Sequence, residues 1–168
     1  QGGETTYAQM AADALGIPME DIVVIHGDTG KVHWGVGTFG SRGTAIGGTA
    51  VHLALEDVVA KGKKYAAHII EASPASMQFA EGVFFSNETE TKLTFQDLAF
   101  EASVAQKLPP NTEPGLSATR FFEPPNFAFP FGAHICTVEV DSDTGQVEIL
   151  RYVAVDDIGN VINPMLVD

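Results

Sequence analysis

The chain has 168 residues, 45% of them apolar and 18% charged, a balance that supports a packed core and excludes a disordered segment. Its 22 acidic against 9 basic residues give a formal net charge of -13. A surface of that sign repels phosphate backbones and anionic lipid, which excludes nonspecific nucleic-acid binding and docking on an acidic membrane face.

In chain order, Gln1-Gly2-Gly3-Glu4-Thr5-Thr6 leads at once into a helical pattern. Thr6 and Gln9 have the spacing of a capping box, Tyr7, Ala8, Ala11, Ala14 and Leu15 fall on one face, and Gly16 with Pro18 predicts the stop. Ile22 to Ile25 predicts a buried strand because it is dense in β-branched residues. A glycine-rich stretch from Gly35 to Gly48 follows, and then a long helix through Ala50, Ala54, Val58, Tyr65 and Ile69, with a kink or break expected at Gly62. Met77 to Phe85 predicts a strand and Leu93 to Ala105 a shorter helix. The proline-rich run from Leu108 to Pro130 predicts loop, with a short strand at Ala118 to Phe122. His134 to Val140 and Gln146 to Val155 predict two strands joined by Asp141-Ser142-Asp143-Thr144-Gly145, with Val147, Ile149, Val153 and Val155 on one face. The predicted class is α+β, with mixed or antiparallel strands packed against two or three helices. The opening without methionine and the apolar end from Asn160 to Asp168 predict a piece of a larger chain, truncated at both ends.

Several groups can carry chemistry. Between Gly35 and Gly48 the glycines let backbone approach a ligand, Thr38, Ser41 and Thr44 add hydroxyls, and Arg42 adds a planar cation. The stretch leads into a helix N-terminus, whose free amides bind phosphate. Anion binding and a plain flexible loop both fit, since neither a P-loop lysine nor a dinucleotide fingerprint is present. Gln1-Gly2-Gly3 places an uncharged amide before a helix, as a site residue or as simple loop. His26, Asp28 and His33 suggest metal ligands, against the plainer reading of a solvent-facing strand end. His52 and His68 fall on a helix too far apart for a shared site and read as lining an interface or surface. Cys136 reads as a small buried hydrophobe; as the single cysteine it excludes a disulfide or an all-cysteine metal or iron–sulfur site in this chain, and fits a reducing, cytoplasmic compartment. Phe121, Phe122, Phe127, Phe129 and Phe131 read as packing or as the wall of a subunit contact. Asp156-Asp157 reads as a hydrated turn after the last strand, with cation binding as the alternative. No apolar run approaches the roughly 18 residues that a membrane span requires.

Four stretches together resemble the molybdenum-binding large subunits of the xanthine dehydrogenase and aldehyde oxidase family, in particular the aerobic carbon monoxide dehydrogenase large chains. They are Gln1 to Gln9, Gly37 to Thr44, Gly132 to Asp141 and Val155 to Pro164, in order along the whole chain. The resemblance implies a partial molybdopterin-binding domain spanning 1–168. It implies that the Gln1 amide hydrogen-bonds an oxo ligand of molybdenum and that Gly2, Gly3 and Thr5 lie against the pterin. It gives Thr38, Phe39, Gly40, Ser41, Arg42 and Thr44 to the loop around the pterin and its phosphates, and puts Cys136 near the nucleotide end. At Gly3 the family pattern often carries histidine.

The implied cofactor is molybdopterin with molybdenum, in its cytosine dinucleotide form, and the implied reaction is oxidative hydroxylation with water as the oxygen source. Electrons would leave through iron–sulfur and flavin (FAD) partner subunits or domains. The family's glutamate base lies C-terminal to Asn163-Pro164, so no catalytic residue is expected in this stretch. The isolated piece is expected to be inactive, to retain little cofactor and to self-associate through uncovered apolar surface. The alternative is a noncatalytic phosphate- or nucleotide-binding or assembly module sharing only the glycine-rich loop.

Overall fold

The structure, a computed structural model, describes residues 2–32, 34–104, 106–127 and 129–167, in two compact units, 1–125 and 126–168.

The first unit opens with α1 (Gly3–Leu15). The helix begins earlier than the Thr6–Gln9 capping box predicts: Gly2 occupies the cap in a left-handed conformation, and the Thr6 amide already donates to the Gly2 carbonyl at 3.0 Å. With its amide used inside the helix, Thr6 is not at a cap. The predicted stop is borne out. Gly16 takes a left-handed conformation at φ 62° and its amide donates to the Ala12 carbonyl.

Residues Ile22 to Ile25 form no strand, and Val23 is 81% exposed. The backbone is extended at Ile22, but no second strand in the described residues pairs with the segment. β-Branched composition supplies the conformation, whereas a strand also needs a hydrogen-bonding neighbour.

A π-helical turn (Gly43–Gly48) runs directly into α2 (Thr49–Ile69), which is continuous through Gly62. The predicted break is absent because tertiary packing requires the glycine. A Cβ on Gly62 would lie 2.6 Å from Cζ of Phe84 and 3.3 Å from Cδ2 of Leu98. Beyond α2, the predicted single strand is a hairpin, β1 (Gln78–Ala80) and β2 (Val83–Phe85), turned at Glu81-Gly82 with both residues at positive φ. β3 (Leu93–Thr94) completes an antiparallel sheet in the order β1-β2-β3.

α3 (Phe95–Val104) starts two residues later than predicted, because Leu93 and Thr94 belong to the sheet. Thr94 caps it: its hydroxyl accepts the Asp97 amide at 3.1 Å and donates to the Asp97 carboxylate at 2.7 Å. The core lies among the C-terminal half of α2, the small sheet and α3, and consists of Tyr65, Ala66, Ala67, Ile70, Met77, Phe84, Leu98 and Ala102. Residues Ala118 to Phe122 carry no strand, again for want of a partner.

The second unit is a long antiparallel hairpin, β4 (Phe131–Val140) and β5 (Val147–Asp157), followed by the one-turn α4 (Pro164–Val167). Its turn is as predicted. The Asp141 carboxylate accepts the Thr144 and Asp143 amides at 2.8 and 2.9 Å, which holds its pKa below the usual carboxylate range.

The predicted common face of Val147, Ile149, Val153 and Val155 does not form. Thr137 pairs with Arg151 and Val138 with Ile149, so Leu150 is a bulge, and one extra residue inverts the alternation beyond it. Val147 and Ile149 share a face with Tyr152, whereas Val153 and Val155 share the other with Arg151. Asp156 and Asp157 end β5 rather than forming a turn. Asp156 lies 3.1 Å from Nε2 of His134, whose Nδ1 lies 2.9 Å from the Tyr152 hydroxyl. Cys136, opposite Tyr152, is exposed rather than buried, because neither strand is covered within this unit. Phe127, Phe129 and Phe131 are likewise exposed here and Phe121 in the first unit, which corrects the packing reading.

Among the described residues four helices and two antiparallel sheets make the class α+β, as the sequence predicts. Among the described residues no helix is long and apolar enough to cross a membrane.

Candidate cofactor cleft

Three separate stretches of the first unit converge on a cleft of about 740 Å³. The first turn of α1 contributes Gly3, Glu4 and Tyr7; the connection to the π-turn contributes His26, Asp28, Trp34, Thr38, Arg42 and Gly43; Arg120, Phe121 and Phe122 close the third side. Each wall is fixed by a contact that spans the sequence. Glu4 Oε1 lies 2.8 Å from His26 Nε2. The Tyr7 hydroxyl donates to the Gly43 carbonyl at 2.8 Å. The Arg120 guanidinium grips Asp57 of α2 with two bonds, Nη2 to Oδ1 at 2.7 Å and Nε to Oδ2. That fork lowers the Asp57 pKa and raises that of Arg120, through the hydrogen bond first, and anchors the chain carrying Phe121 and Phe122 to α2.

The glycine-rich loop has the backbone that close approach requires. Gly40 and Ser41 sit at φ 58° and 54°, a tight turn in which the Arg42 amide donates to the Phe39 carbonyl at 3.3 Å. A Cβ on Gly35, Gly37 or Gly40 would meet nothing within 4 Å, so one side of this backbone is open. The Arg42 guanidinium stands 4.8 Å over the Phe39 ring. Among the described residues it forms no ion pair, whereas the acids beside it are engaged, Glu4 with His26 and Asp28 with the Gly30 amide at 2.9 Å. An unpaired guanidinium, threonine hydroxyls and the amides that begin a helix suit an anionic group.

Of the residues that the sequence assigns to the cofactor, Gly3, Thr38 and Arg42 line the cleft, together with His26, Asp28, Phe121 and Phe122, which the sequence singled out on other grounds. Gly2 and Thr5 belong to the start of α1, and Phe39, Gly40, Ser41 and Thr44 to the loop and π-turn beside it. Cys136 belongs to the second unit, and Gln1 and His33 lie outside the described residues. The metal reading of His26, Asp28 and His33 gains nothing: His26 pairs with Glu4, Asp28 with a backbone amide, and no three candidate ligands cluster among the described residues. His52 lies on the exposed surface of α2, 3.5 Å from Glu56, as its surface reading expects.

Sequence reasoning missed Glu4, Tyr7, Trp34 and Arg120. Tyr7 reads as one apolar position on a helix, and Arg120 and Asp57 are joined only by the fold.

The Glu4 carboxyl is held below the usual carboxylate range, first by its own backbone amide and then by His26. A depressed folded pKa stabilises the turn at neutral pH, and that contribution is lost as pH falls through the depressed value. In a carboxyl-carbon NMR titration Glu4 is expected to titrate below a free glutamate, and His26→Gln to move it part of the way back. An unchanged midpoint in the variant would show that the pair does not form in solution.

Comparison with known proteins gives this cleft its context. A family model described as the molybdopterin cofactor-binding domain matches residues 1–168. The carbon monoxide dehydrogenase large chain of Hydrogenophaga pseudoflava is 41% identical over 169 residues, covering 100% of this chain and 21% of that one. The nicotine 6-hydroxylase large subunit of Paenarthrobacter nicotinovorans is 36% identical over 171 residues, with the same coverage. The crystal structure of the Cu,Mo-CO dehydrogenase superposes with a TM-score of 0.79 at 40% identity, over 99% of this chain and 21% of that one. Quinoline 2-oxidoreductase from Pseudomonas putida 86 gives 0.76 at 33% identity, over 99% and 21%. The chain thus spans about a fifth of the length of these relatives. By sequence and by fold alike, the chain belongs to the molybdopterin cofactor-binding domain family.

Proposed function

We propose that residues 1–168 are part of a molybdopterin-binding domain within a larger subunit, and that the cleft between the start of α1 and the glycine-rich loop forms one wall of the cofactor site. The observation that carries the reading is convergence: Gly3, Thr38, Arg42 and Gly43, from two distant stretches of sequence, line one cleft, and the Arg42 guanidinium forms no ion pair among the described residues. This donor set fits an anionic pterin phosphate. Arg42 would neutralise its charge, Thr38 and the amides of Gly43, Thr44 and Ala45, which precede the first bonded amide of the turn at Ile46, would donate to its oxygens, and the open backbone at Gly37 and Gly40 would admit close contact. Gly2, Gly3 and Thr5 are assigned to the pterin face, Phe39, Ser41 and Thr44 to the loop that wraps it, Gln1 to the amide nearest the metal, and Cys136 to the nucleotide end. The cytosine dinucleotide form follows from the family resemblance.

When bound, the molybdenum cofactor supplies a redox centre that takes two electrons while oxygen from water enters the substrate. The part of this chain is to bind and orient. Phe121, Phe122 and Trp34 line the cleft with apolar surface, which limits water at its rim. A single cysteine cannot ligate an iron–sulfur cluster, so the electrons are assigned to iron–sulfur and FAD partners. The reading places the parent protein in the cytoplasm, where one free thiol stays reduced.

The test is Arg42→Glu in the full-length subunit, with molybdenum measured by elemental analysis and pterin by fluorescence after oxidation. Charge reversal at the phosphate is expected to lower both by about tenfold or more, with the circular dichroism of the wild type retained. Stoichiometric molybdenum and pterin in the folded variant would sink the reading.

A further inference from the structure

We propose that Tyr7 is a positioning residue, one that couples the two backbone segments of the cleft so that the first turn of α1 and the glycine-rich loop face the cofactor as one surface; the inference rests on the cofactor reading above. Three observations carry it. The Tyr7 hydroxyl donates to the carbonyl of Gly43, the first residue of the π-turn, across a part-buried contact between elements far apart in the sequence. The Tyr7 ring also fills the space over Gly47, one helical turn further on. A Cβ there would collide with the Tyr7 hydroxyl and lie 3.2 Å from Cζ. On the other side, a Cβ on Gly3, four residues before Tyr7, would touch the ring at 4.0 Å. One aromatic side chain therefore bears on Gly3, Gly43 and Gly47, and all three line the cleft.

The local geometry gives the contact its purpose. Residues Gly43 to Gly48 form a π-turn, a wide turn that is less favourable than α and persists where surrounding contacts hold it. Tyr7 supplies such a contact at its first carbonyl. Met10, on the next turn of α1, supplies another, with its sulfur 3.4 Å from where a Gly48 Cβ would be. The glycines at 47 and 48 let α1 come this close, and the phenol uses the space they leave. Without the hydroxyl the π-turn loses its tie to α1, and the amides from Gly43 onward no longer keep a fixed position relative to Gly3.

The experiment uses the cofactor-loaded full-length subunit and three variants: Tyr7→Phe, Gly47→Ala and the double variant. The readouts are amide hydrogen exchange over residues 43–48, the rate of pterin release followed by fluorescence, and the global unfolding midpoint. Tyr7→Phe keeps the ring and removes only the hydroxyl. It is expected to speed exchange at Gly43 to Gly48 and pterin release by about fivefold each, the worth of one neutral hydrogen bond, with no more than the small drop in midpoint that the loss of one such bond entails. Gly47→Ala is expected to do more, because its methyl collides with the hydroxyl. The double variant is expected to be milder than Gly47→Ala alone, since removing the hydroxyl makes room for the methyl.

That rescue shows that the hydroxyl and Gly47 meet, and pterin release is the readout that a purely structural packing role would not move. Equal effects of Gly47→Ala with and without the hydroxyl, or unchanged exchange in Tyr7→Phe, would overturn the coupling. Exchange that follows the expected pattern while pterin release stays at the wild-type rate would overturn the positioning role. The Arg42→Glu measurement judges the cofactor reading separately: retained pterin there sinks that reading even where the exchange pattern of the Tyr7 and Gly47 variants is as expected.

Discussion

Gly16→Ala is expected to destabilise the N-terminal unit by about 3 kcal/mol or more, read as a drop of about 10 °C in the thermal midpoint of the chain by circular dichroism. Two costs add. Gly16 holds φ 62°, where an alanine pays roughly 1–2 kcal/mol in the left-handed region. Its Cβ would also run into the backbone of the β1–β2 turn, colliding with the Gly82 amide nitrogen and lying 2.6 Å from the Glu81 carbonyl carbon and 2.7 Å from the Gly82 Cα. Backbone cannot rotate aside as the end of a side chain can, so the helix terminus or the hairpin must move. Gly27→Ala is the control, with φ 71° and nothing within 4 Å of a Cβ; it is expected to cost only about 1 kcal/mol. Equal midpoint shifts for the two variants would show that the contact between α1 and the hairpin is absent in solution.

Phe84→Ala is the second large effect, expected at about 3–5 kcal/mol. Phe84 is fully buried and forms a triangle of rings with Phe79, at 4.4 Å, and Phe95, at 6.4 Å. It also fills the notch that Gly62 leaves in α2. Removing the ring leaves a cavity lined by the sheet, α2 and α3, and none of these can collapse into it without bending. Gly62→Ala tests the same contact from the other side. In the wild type the added methyl meets a ring already packed against Phe79 and Phe95 and is expected to destabilise, despite the better helix propensity of alanine. In the Phe84→Ala background the same methyl enters the cavity, so the double variant is expected to be more stable than Phe84→Ala alone. Additive costs, read from urea midpoints, would contradict the packing described.

Legibility in the sequence followed the range of the interaction. The β4–β5 hairpin was legible because its signals are local: alternating residues, and Asp141 to Gly145 able to close on themselves through the Asp141 carboxylate. The end of α1 was legible for the same reason, since glycine is the residue that takes the left-handed cap. The capping box at Thr6 misled because a matching spacing exists inside the helix as well as at its edge. The side-chain cap that does form, Thr94 on the Asp97 amide, went unread at the end of a strand. Ile22 to Ile25 and Ala118 to Phe122 looked like strands because composition reports on one chain segment and says nothing of a partner. The bulge at Leu150 was invisible, since a register shift belongs to a pair of strands and not to either one.

The sequence by itself determined the acidic surface, the absence of a disulfide, the α+β class, the glycine-rich loop with its arginine, and the family to which these belong. All but the family depend on residue types and on spacings within about a dozen positions, and the family on the order of four such local stretches along the chain. The tertiary structure alone decided which distant groups meet: Glu4 with His26, Tyr7 with Gly43, Asp57 with Arg120, and Gly62 with Phe84. Such pairs carry no periodic signal, because loop closure brings them together only once the core has formed and its packing has fixed the helices and turns that present them.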